Sequence, residues 1–88
     1  MAWTLYIVRC SDGSLYTGIT NDLVRRLAMH DAGKGARYTR GRGPVALVYR
    51  EACTDRSTAS RREAQVKRLP LRVKRTLVGT GRRRRTRA

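Results

Sequence analysis

The chain has 88 residues, of which 21 are Lys or Arg and six are Asp or Glu, giving a formal net charge of +15. This length gives one small domain with a modest core. The charge favours a polyanionic partner, nucleic acid first, although charge alone does not choose between DNA, RNA and an anionic membrane surface. Two isolated cysteines and a single histidine argue against a zinc site. The lack of an apolar run of about 20 residues and of a signal-peptide pattern predicts a cytoplasmic protein with no membrane span.

The first third of the chain predicts a β-hairpin followed by a helix. The runs Trp3–Cys10 and Leu15–Thr20 are rich in Ile, Val, Leu, Tyr and Thr and flank an Asp-Gly pair, which is a hairpin signal. The first run is nearly continuously apolar, so it is expected to be the central strand. Residues 22–32 carry apolar side chains at helical spacing behind an Asn-Asp N-cap, and Gly33 is expected to end this helix.

Four polar side chains of these elements are candidates to meet beside the hairpin. Tyr6 and Tyr16 share a face of the sheet if the two strands are joined by a three-residue loop, Asp12–Ser14, whereas a two-residue turn would put them on opposite faces. Arg26 and His30 are four residues apart, so they share a face of the helix. In the first register, two phenols, a guanidinium and an imidazole converge.

Gly18 interrupts the second strand, where glycine is unfavourable unless another group must approach the backbone closely. Two explanations are open at this point. Either a metal ion or a phosphate lies near Tyr16, or the strand contains a simple bulge.

The second half of the chain predicts one more strand and two helices. Val45–Cys53 is expected to pair antiparallel to the first strand. Thr54 or Asp55 caps a helix over 56–69, and a shorter helix starts at a proline and runs over 70–78, ended by a glycine. The predicted fold is therefore α+β, a small three-stranded antiparallel sheet flanked by helices, in the order β-β-α-β-α-α.

Basic residues concentrate in two segments. Lys34–Pro44 alternates four basic residues with glycines and one tyrosine. Its backbone and cations can follow phosphates and Tyr38 can stack on a base, the alternative being a flexible solvated loop. Residues 80–88 are expected to be a tail that is disordered when free and either grips phosphates or only solubilises the domain, which then spans 1–79. No phosphate-cradling P-loop pattern is present, so no nucleotide cofactor is expected.

Glu63 is the acidic residue that most needs an explanation. It lies on or near the stripe of its helix that carries Ala59 and Val66, where an acid costs several kcal/mol unless it is paired or bound to a metal. A pair with Lys67, four residues further on, would contribute about 0.3–0.5 kcal/mol. Pairing and metal binding are both open from the spacing alone.

These residues resemble the GIY-YIG endonuclease family over roughly residues 3–78. Thr4-Leu5-Tyr6 stands where the family has Gly-Ile-Tyr, and Tyr16-Thr17-Gly18 stands where it has Tyr-Ile-Gly. Asn21–Leu27 resembles the segment that ends in the family's active-site arginine, and Arg62–Lys67 resembles the segment with its metal-binding glutamate. The first motif keeps only its tyrosine. The chain looks most like the small single-domain bacterial members, and its Arg-Gly-Arg-Gly-Pro segment is also similar to the catalytic subunit of the eukaryotic structure-selective junction resolvase.

The resemblance implies a metal-dependent endonuclease that hydrolyses DNA phosphodiester bonds, with a single Mg²⁺ or Mn²⁺ ion held by Glu63. The implied catalytic residues are Tyr6, Tyr16, Arg26, His30 and Glu63. The implied DNA contacts are Lys34, Arg37, Tyr38, Thr39, Arg40, Arg42 and Lys67. His30 is the general base suggested by chemistry alone. The family implies that a tyrosine is the general base instead. Of Tyr6 and Tyr16 we prefer Tyr6, and His30 would then accept its proton or bind phosphate.

The small size argues against a sequence-specific nuclease, because there is no room for a large recognition domain. Cutting of branched, flapped or single-stranded DNA in repair or recombination is the expected function, with a protein partner as one way to select the substrate. The alternative is a non-catalytic basic nucleic-acid-binding module, against which the complete catalytic set argues. A basic RNA-associated protein is a third interpretation that rests on charge alone.

Overall fold

The strand predicted near the start of the chain is β1, Trp3–Arg9. The structure is a computed structural model, which describes residues 2–32 and 44–87, with side chains as far as residue 79. The other elements are β2 (Leu15–Thr20), α1 (Leu23–Asp31), β3 (Ala46–Cys53), α2 (Arg56–Arg68) and α3 (Leu71–Arg87). The strands form one antiparallel sheet in the order β2-β1-β3. The α+β class and the order β-β-α-β-α-α are confirmed. Among the described residues, no helix has the length and apolar character needed to cross a bilayer.

The hairpin between β1 and β2 closes with a three-residue loop, which was one of the two alternatives, but the loop starts one residue earlier than that alternative placed it. The Cys10 amide donates to the Ser14 carbonyl at 2.8 Å, and the Gly13 amide donates to the Cys10 carbonyl at 2.9 Å. The loop is therefore 11–13 instead of 12–14. The reason is Gly13, whose φ of +87° is the left-handed conformation that such loops place at their last residue.

The two faces of the sheet have different chemistry. Leu5 and Ile7 face the hydrophobic core, which α2 and α3 complete with Ala59, Val66 and Val78. Because side chains alternate along a strand, Tyr6 lies on the opposite face. The pairing of Val8 with Tyr16 puts the second tyrosine on that face too, so the two tyrosines share a face, as a three-residue loop requires.

Gly18 has a different explanation from the two that the sequence suggested. The β1–β2 register is continuous through its pairing with Tyr6, so the predicted bulge is wrong. A Cβ atom at Gly18 would lie 2.6 Å from the hydroxyl oxygen of Tyr6 and 2.7 Å from its Cζ. The group that approaches the backbone at Gly18 is therefore the Tyr6 phenol.

The helices begin close to where they were predicted. The Asp22 carboxylate accepts from the Arg25 amide at 3.2 Å and caps α1. Of the two candidate caps of α2, Asp55 is the one used, with its carboxylate 2.7 Å from the Thr58 amide. Asp31, which ends α1, accepts from the Val45 amide at 2.8 Å and so ties this helix to the start of β3.

The last helix differs from its prediction. α3 continues to Arg87 instead of ending at residue 78. Arginine has a high helix propensity, and each of the two glycines, Gly79 and Gly81, costs only about 1 kcal/mol in a helix relative to alanine. The side chains of 80–88 lie outside the described part of the chain. The predicted disorder of this segment, and the domain boundary at 79, stay predictions.

Candidate active site

Three rings meet on the face of the sheet opposite the hydrophobic core. Tyr6 and His30 are both 0% exposed, and the Tyr6 hydroxyl lies 2.9 Å from His30 Nε2. The Tyr16 ring centroid is 6.4 Å from that of Tyr6 and 5.5 Å from that of His30. The hairpin register supplies the two tyrosines and α1 supplies the histidine, so the structure brings together three residues that the sequence singled out.

Arg26 lies one turn before His30 on α1 and joins the same cluster. Hydrogen bonding with the Tyr6 hydroxyl is the main interaction that raises the pKa of the Arg26 guanidinium, and Tyr16 contributes to the same shift. Arg26 Nε is buried and has no hydrogen-bond partner among the described residues. Because buried donors are almost always paired, this N–H marks a place where an acceptor such as a phosphate oxygen would be stabilised.

Burial sets the resting protonation of the cluster. It raises the pKa of Tyr6 above 10.0, an effect that the hydrogen bond from Arg26 opposes and the nearby Tyr16 reinforces. Burial also lowers the pKa of His30 below 6.5, and the positive charge of Arg26 lowers it further while Asp31 opposes both. At neutral pH, Tyr6 therefore keeps its proton and His30 is uncharged. We infer that the phenol donates to Nε2 and that the imidazole carries its own proton on Nδ1.

Glu63 borders this cluster from α2. Its Oε2 lies 3.4 Å from the Lys67 ammonium, with Glu63 23% exposed and Lys67 50% exposed. The negative charge of Glu63 is among the influences that raise the pKa of Tyr6, and the Lys67 ammonium lies 5.8 Å from the Tyr16 ring centroid. The predicted pair with Lys67 is thus present, and its exposure limits it to less than about 1 kcal/mol.

The side chains near Glu63 suit a hydrated metal ion held by one carboxylate and do not suit a metal ion enclosed by several protein ligands. In the described part of the chain, no three His, Cys, Asp or Glu side chains are grouped to hold a metal ion. A protein cage of several ligands is therefore ruled out there. A hydrated Mg²⁺ ion keeps most of its waters and needs only one or two carboxylates. The partly exposed carboxylate of Glu63, beside two phenols, fits that requirement.

Of the seven predicted DNA contacts, the structure describes one. Lys67 lies at the edge of the cluster. The other six lie outside the described residues: Lys34, Arg37, Tyr38, Thr39, Arg40 and Arg42. Sequence reasoning missed the part that Gly18 plays in making room for Tyr6. The predicted loop 12–14 would have placed Gly18 opposite Val8, so the contact with Tyr6 became visible only with the observed register, in which Gly18 pairs with Tyr6.

The fold and the cluster together define a small α+β domain with a nuclease-like polar site. The model of the GIY-YIG catalytic domain matches residues 2–75, and the chain belongs to the GIY-YIG family, which is a family of nucleases.

Relatives found by sequence and by structure support this assignment. The chain is 60% identical over 78 residues to the UPF0213 protein of Desulfotalea psychrophila, covering 88% of this chain and 71% of that one. It is similar to the UPF0213 protein of Bacillus halodurans, solved by NMR, with a TM-score of 0.60, 49% identity and coverage of 91% and 85%. An NMR structure of a protein from E. faecalis gives a TM-score of 0.62 at 36% identity, with the same coverage. These names specify no substrate or reaction.

Proposed function

We propose that this protein is a metal-dependent endonuclease that hydrolyses phosphodiester bonds in branched, flapped or single-stranded DNA, in the cytoplasm, in repair or recombination. The observation that carries the proposal is the buried hydrogen bond between Tyr6 and His30, beside an arginine whose Nε–H has no partner in the part of the chain that the structure describes. A solvated surface would not need such an arrangement. The net charge of +15 suits a DNA substrate, and a protein partner is one way to select among DNA structures.

Arg26 is the proposed phosphate-binding residue. Arginine is always charged and offers several donors in a fixed plane, so it can hold two phosphate oxygens at once. The tyrosine hydroxyls help to hold its guanidinium in place, and its buried Nε has no hydrogen-bond partner among the described residues. A donor fixed in advance at the reacting phosphate stabilises the charge that develops there.

The general base is more consistent with Tyr16 than with Tyr6, which the sequence alone had favoured. The Tyr6 hydroxyl is fully buried and already has two partners, His30 and Arg26. Tyr16 is only half-buried, and a base must lie within hydrogen-bond reach of the attacking water. In this proposal, Tyr16 first loses its own proton to solvent and then, as the phenolate, takes the proton of the attacking water, while Tyr6 and His30 hold Arg26 in position.

Glu63 is the proposed ligand of a single Mg²⁺ or Mn²⁺ ion. When bound, the ion would supply positive charge that stabilises the phosphate and the deprotonated forms of nearby oxygens. Glu63 itself would hold the ion at the mouth of the cluster, beside the tyrosines, and its partial exposure leaves the carboxylate accessible from solvent.

The test is cleavage of labelled single-stranded, flapped and four-way-junction DNA with Mg²⁺, Mn²⁺ or EDTA. Glu63→Gln should lose the metal-dependent cleavage, and Glu51→Gln is the matched control, because Glu51 binds Arg62 and Tyr49 away from the cluster. Cleavage that survives Glu63→Gln would contradict the assignment of the metal ligand. Tight, salt-sensitive binding with no cleavage of any substrate would favour the non-catalytic module.

A set of three phenylalanine variants separates the tyrosines. Tyr16→Phe should lower kcat by about 10²- to 10⁴-fold, the usual contribution of general-base catalysis. Tyr6→Phe should have a smaller effect, because it removes a positioning contact. Tyr49→Phe is the control, since its hydroxyl donates to Glu51 at 2.8 Å outside the site. If Tyr6→Phe is the more damaging change, the base is Tyr6.

A further inference from the structure

Two surface clefts meet at Arg26. One, of about 280 Å³, is lined on the α1 side by Arg25 and Met29. The other, of about 290 Å³, is lined by Trp3 and Arg56. Both clefts include Thr20, Asn21 and Arg26. A ligand bound at Arg26 therefore has a continuous path towards Trp3.

The topology explains why arginines from two helices border this path. β2 and β3 both run antiparallel to β1, so both strands finish at the end of the sheet where β1 begins. α1 follows β2 and α2 follows β3, so both helices start at that end. Arg56 is the first residue of α2, and Arg26 lies in the first turns of α1.

Trp3 and Arg56 form a cation–aromatic pair in the second cleft. The Arg56 guanidinium carbon lies 5.7 Å from the Trp3 ring centroid. Trp3 is half-buried and packs against the core, which fixes its ring, whereas Arg56 is exposed. A fixed aromatic face beside a mobile cation is the combination that binds single-stranded nucleic acid, with the base on the ring and the phosphate on the cation.

We propose that Trp3 stacks on an unpaired base of the DNA substrate, next to the phosphate held by Arg26. This inference rests on the proposed function and deepens it. The base takes the place of the Arg56 guanidinium over the indole, and Arg56 moves to the neighbouring phosphate. The exchange is inexpensive because a cation–aromatic contact at an exposed position is weak.

The proposal defines a substrate class. A base inside a closed duplex is stacked between its neighbours and offers no free face, so Trp3 selects DNA with an unpaired nucleotide beside the bound phosphate. Single strands, flaps and frayed junctions have such a nucleotide, and a blunt duplex does not. The volume of the Trp3 cleft, about 290 Å³, lies near the lower end of the range of about 300–1,000 Å³ for ligand sites, which suits one base.

The chain carries its own reporter for this contact, because Trp3 is its one tryptophan. Stacking of a nucleobase on an indole quenches the indole fluorescence. In EDTA, a thymidine oligonucleotide should quench Trp3, whereas an abasic oligonucleotide of equal length should bind with little quenching. A blunt duplex should also bind without quenching, with binding followed by the anisotropy of labelled DNA. Equal quenching by thymidine and abasic oligonucleotides, or binding of the former without quenching, would overturn the proposal.

Variants test the same contact through affinity. Trp3→Leu should weaken the binding of single-stranded DNA by about 5- to 150-fold, the range for loss of one base–aromatic stack, and should change duplex binding little. Trp3→Phe should keep part of the affinity, which guards against loss of folding. Arg56→Gln is compared with Arg75→Gln, which removes the same charge from an exposed position that lines a separate cavity.

The outcomes separate this inference from the proposed function. If Arg56→Gln and Arg75→Gln weaken binding equally and Trp3→Leu affects single strands and duplex alike, the stacking role is wrong. Metal-dependent cleavage without quenching would remove the inference and leave the nuclease intact. Base-dependent quenching without cleavage would support Trp3 as a binding residue and contradict the nuclease.

Discussion

Gly18→Ala tests how tightly the tyrosine cluster is built. The new Cβ atom would lie 2.6 Å from the Tyr6 hydroxyl oxygen, about 0.8 Å closer than ordinary contact at 3.4 Å. The ring cannot move freely, because Tyr6 is fully buried and its hydroxyl lies 2.9 Å from His30 Nε2. Overpacking of this kind costs about 1–3 kcal/mol, against a gain of about 0.5–1 kcal/mol from replacing glycine. We expect a net loss of about 1–2 kcal/mol in the free energy of unfolding.

The same substitution should also lower the rate of DNA cleavage, by more than its effect on the free energy of unfolding would explain. A displacement of about 1 Å near a reacting centre can cost about 10²-fold in rate, and here Tyr6 would have to move away from β2. Denaturant unfolding gives the stability, and cleavage of single-stranded DNA gives the rate. Gly79→Ala is the matched control, because its Cβ meets nothing within 4 Å.

A second background makes this test specific to the Tyr6 ring. In Tyr6→Leu the end of the ring is gone, so Gly18→Ala should then cost much less, and a double-mutant cycle measures the difference as a coupling of about 0.5–3 kcal/mol. The reasoning is refuted if Gly18→Ala has wild-type stability and cleavage. It is also refuted if the cost is the same with and without the Tyr6 ring.

Two further predictions concern other polar groups. The pKa of His30 is about 6.5 in the unfolded chain and lower in the fold, so the unfolded state binds more protons between these values. Stability should fall as the pH drops below about 6.5, and this loss, measured by urea unfolding from pH 5 to 8, should be absent in His30→Gln. Glu51→Gln should cost about 0.5–1 kcal/mol, because the Arg62–Glu51 pair at 2.9 Å is about a third exposed. A thermal unfolding curve checks it, and a loss of several kcal/mol would mean that this pair is essential for holding α2.

Much of the fold was predictable because its signals are local. Alternating apolar runs, an Asp-Gly turn and acidic caps each act within a few residues, and they placed all three strands and the start of every helix. The exact hairpin loop was missed because it depends on which residue adopts a left-handed conformation, and that residue is Gly13. The end of α3 was missed because a glycine is a weak stop signal beside arginines.

The sequence predicted that these polar side chains come together, but not how deeply they are buried. Helical spacing puts Arg26 and His30 on one face, but the 0% exposure of His30 depends on packing against the sheet. The same is true of Tyr6, whose two hydroxyl partners come from a helix more than 15 residues away along the chain. This depth is what moves the proposed general base from Tyr6 to Tyr16, because only the half-buried phenol is open to water.

The pair of Glu63 and Lys67 shows how the two explanations offered by the sequence are compatible. An exposed pair with this spacing contributes only about 0.3–0.5 kcal/mol, so a divalent cation can replace the ammonium at Glu63 for little cost. Lys67 already lies 5.8 Å from the Tyr16 ring centroid. Once released, its charge would be next to the proposed site of water attack, where a DNA phosphate must also lie. In this interpretation, Lys67 neutralises Glu63 in the free protein and binds the substrate when the metal takes its place.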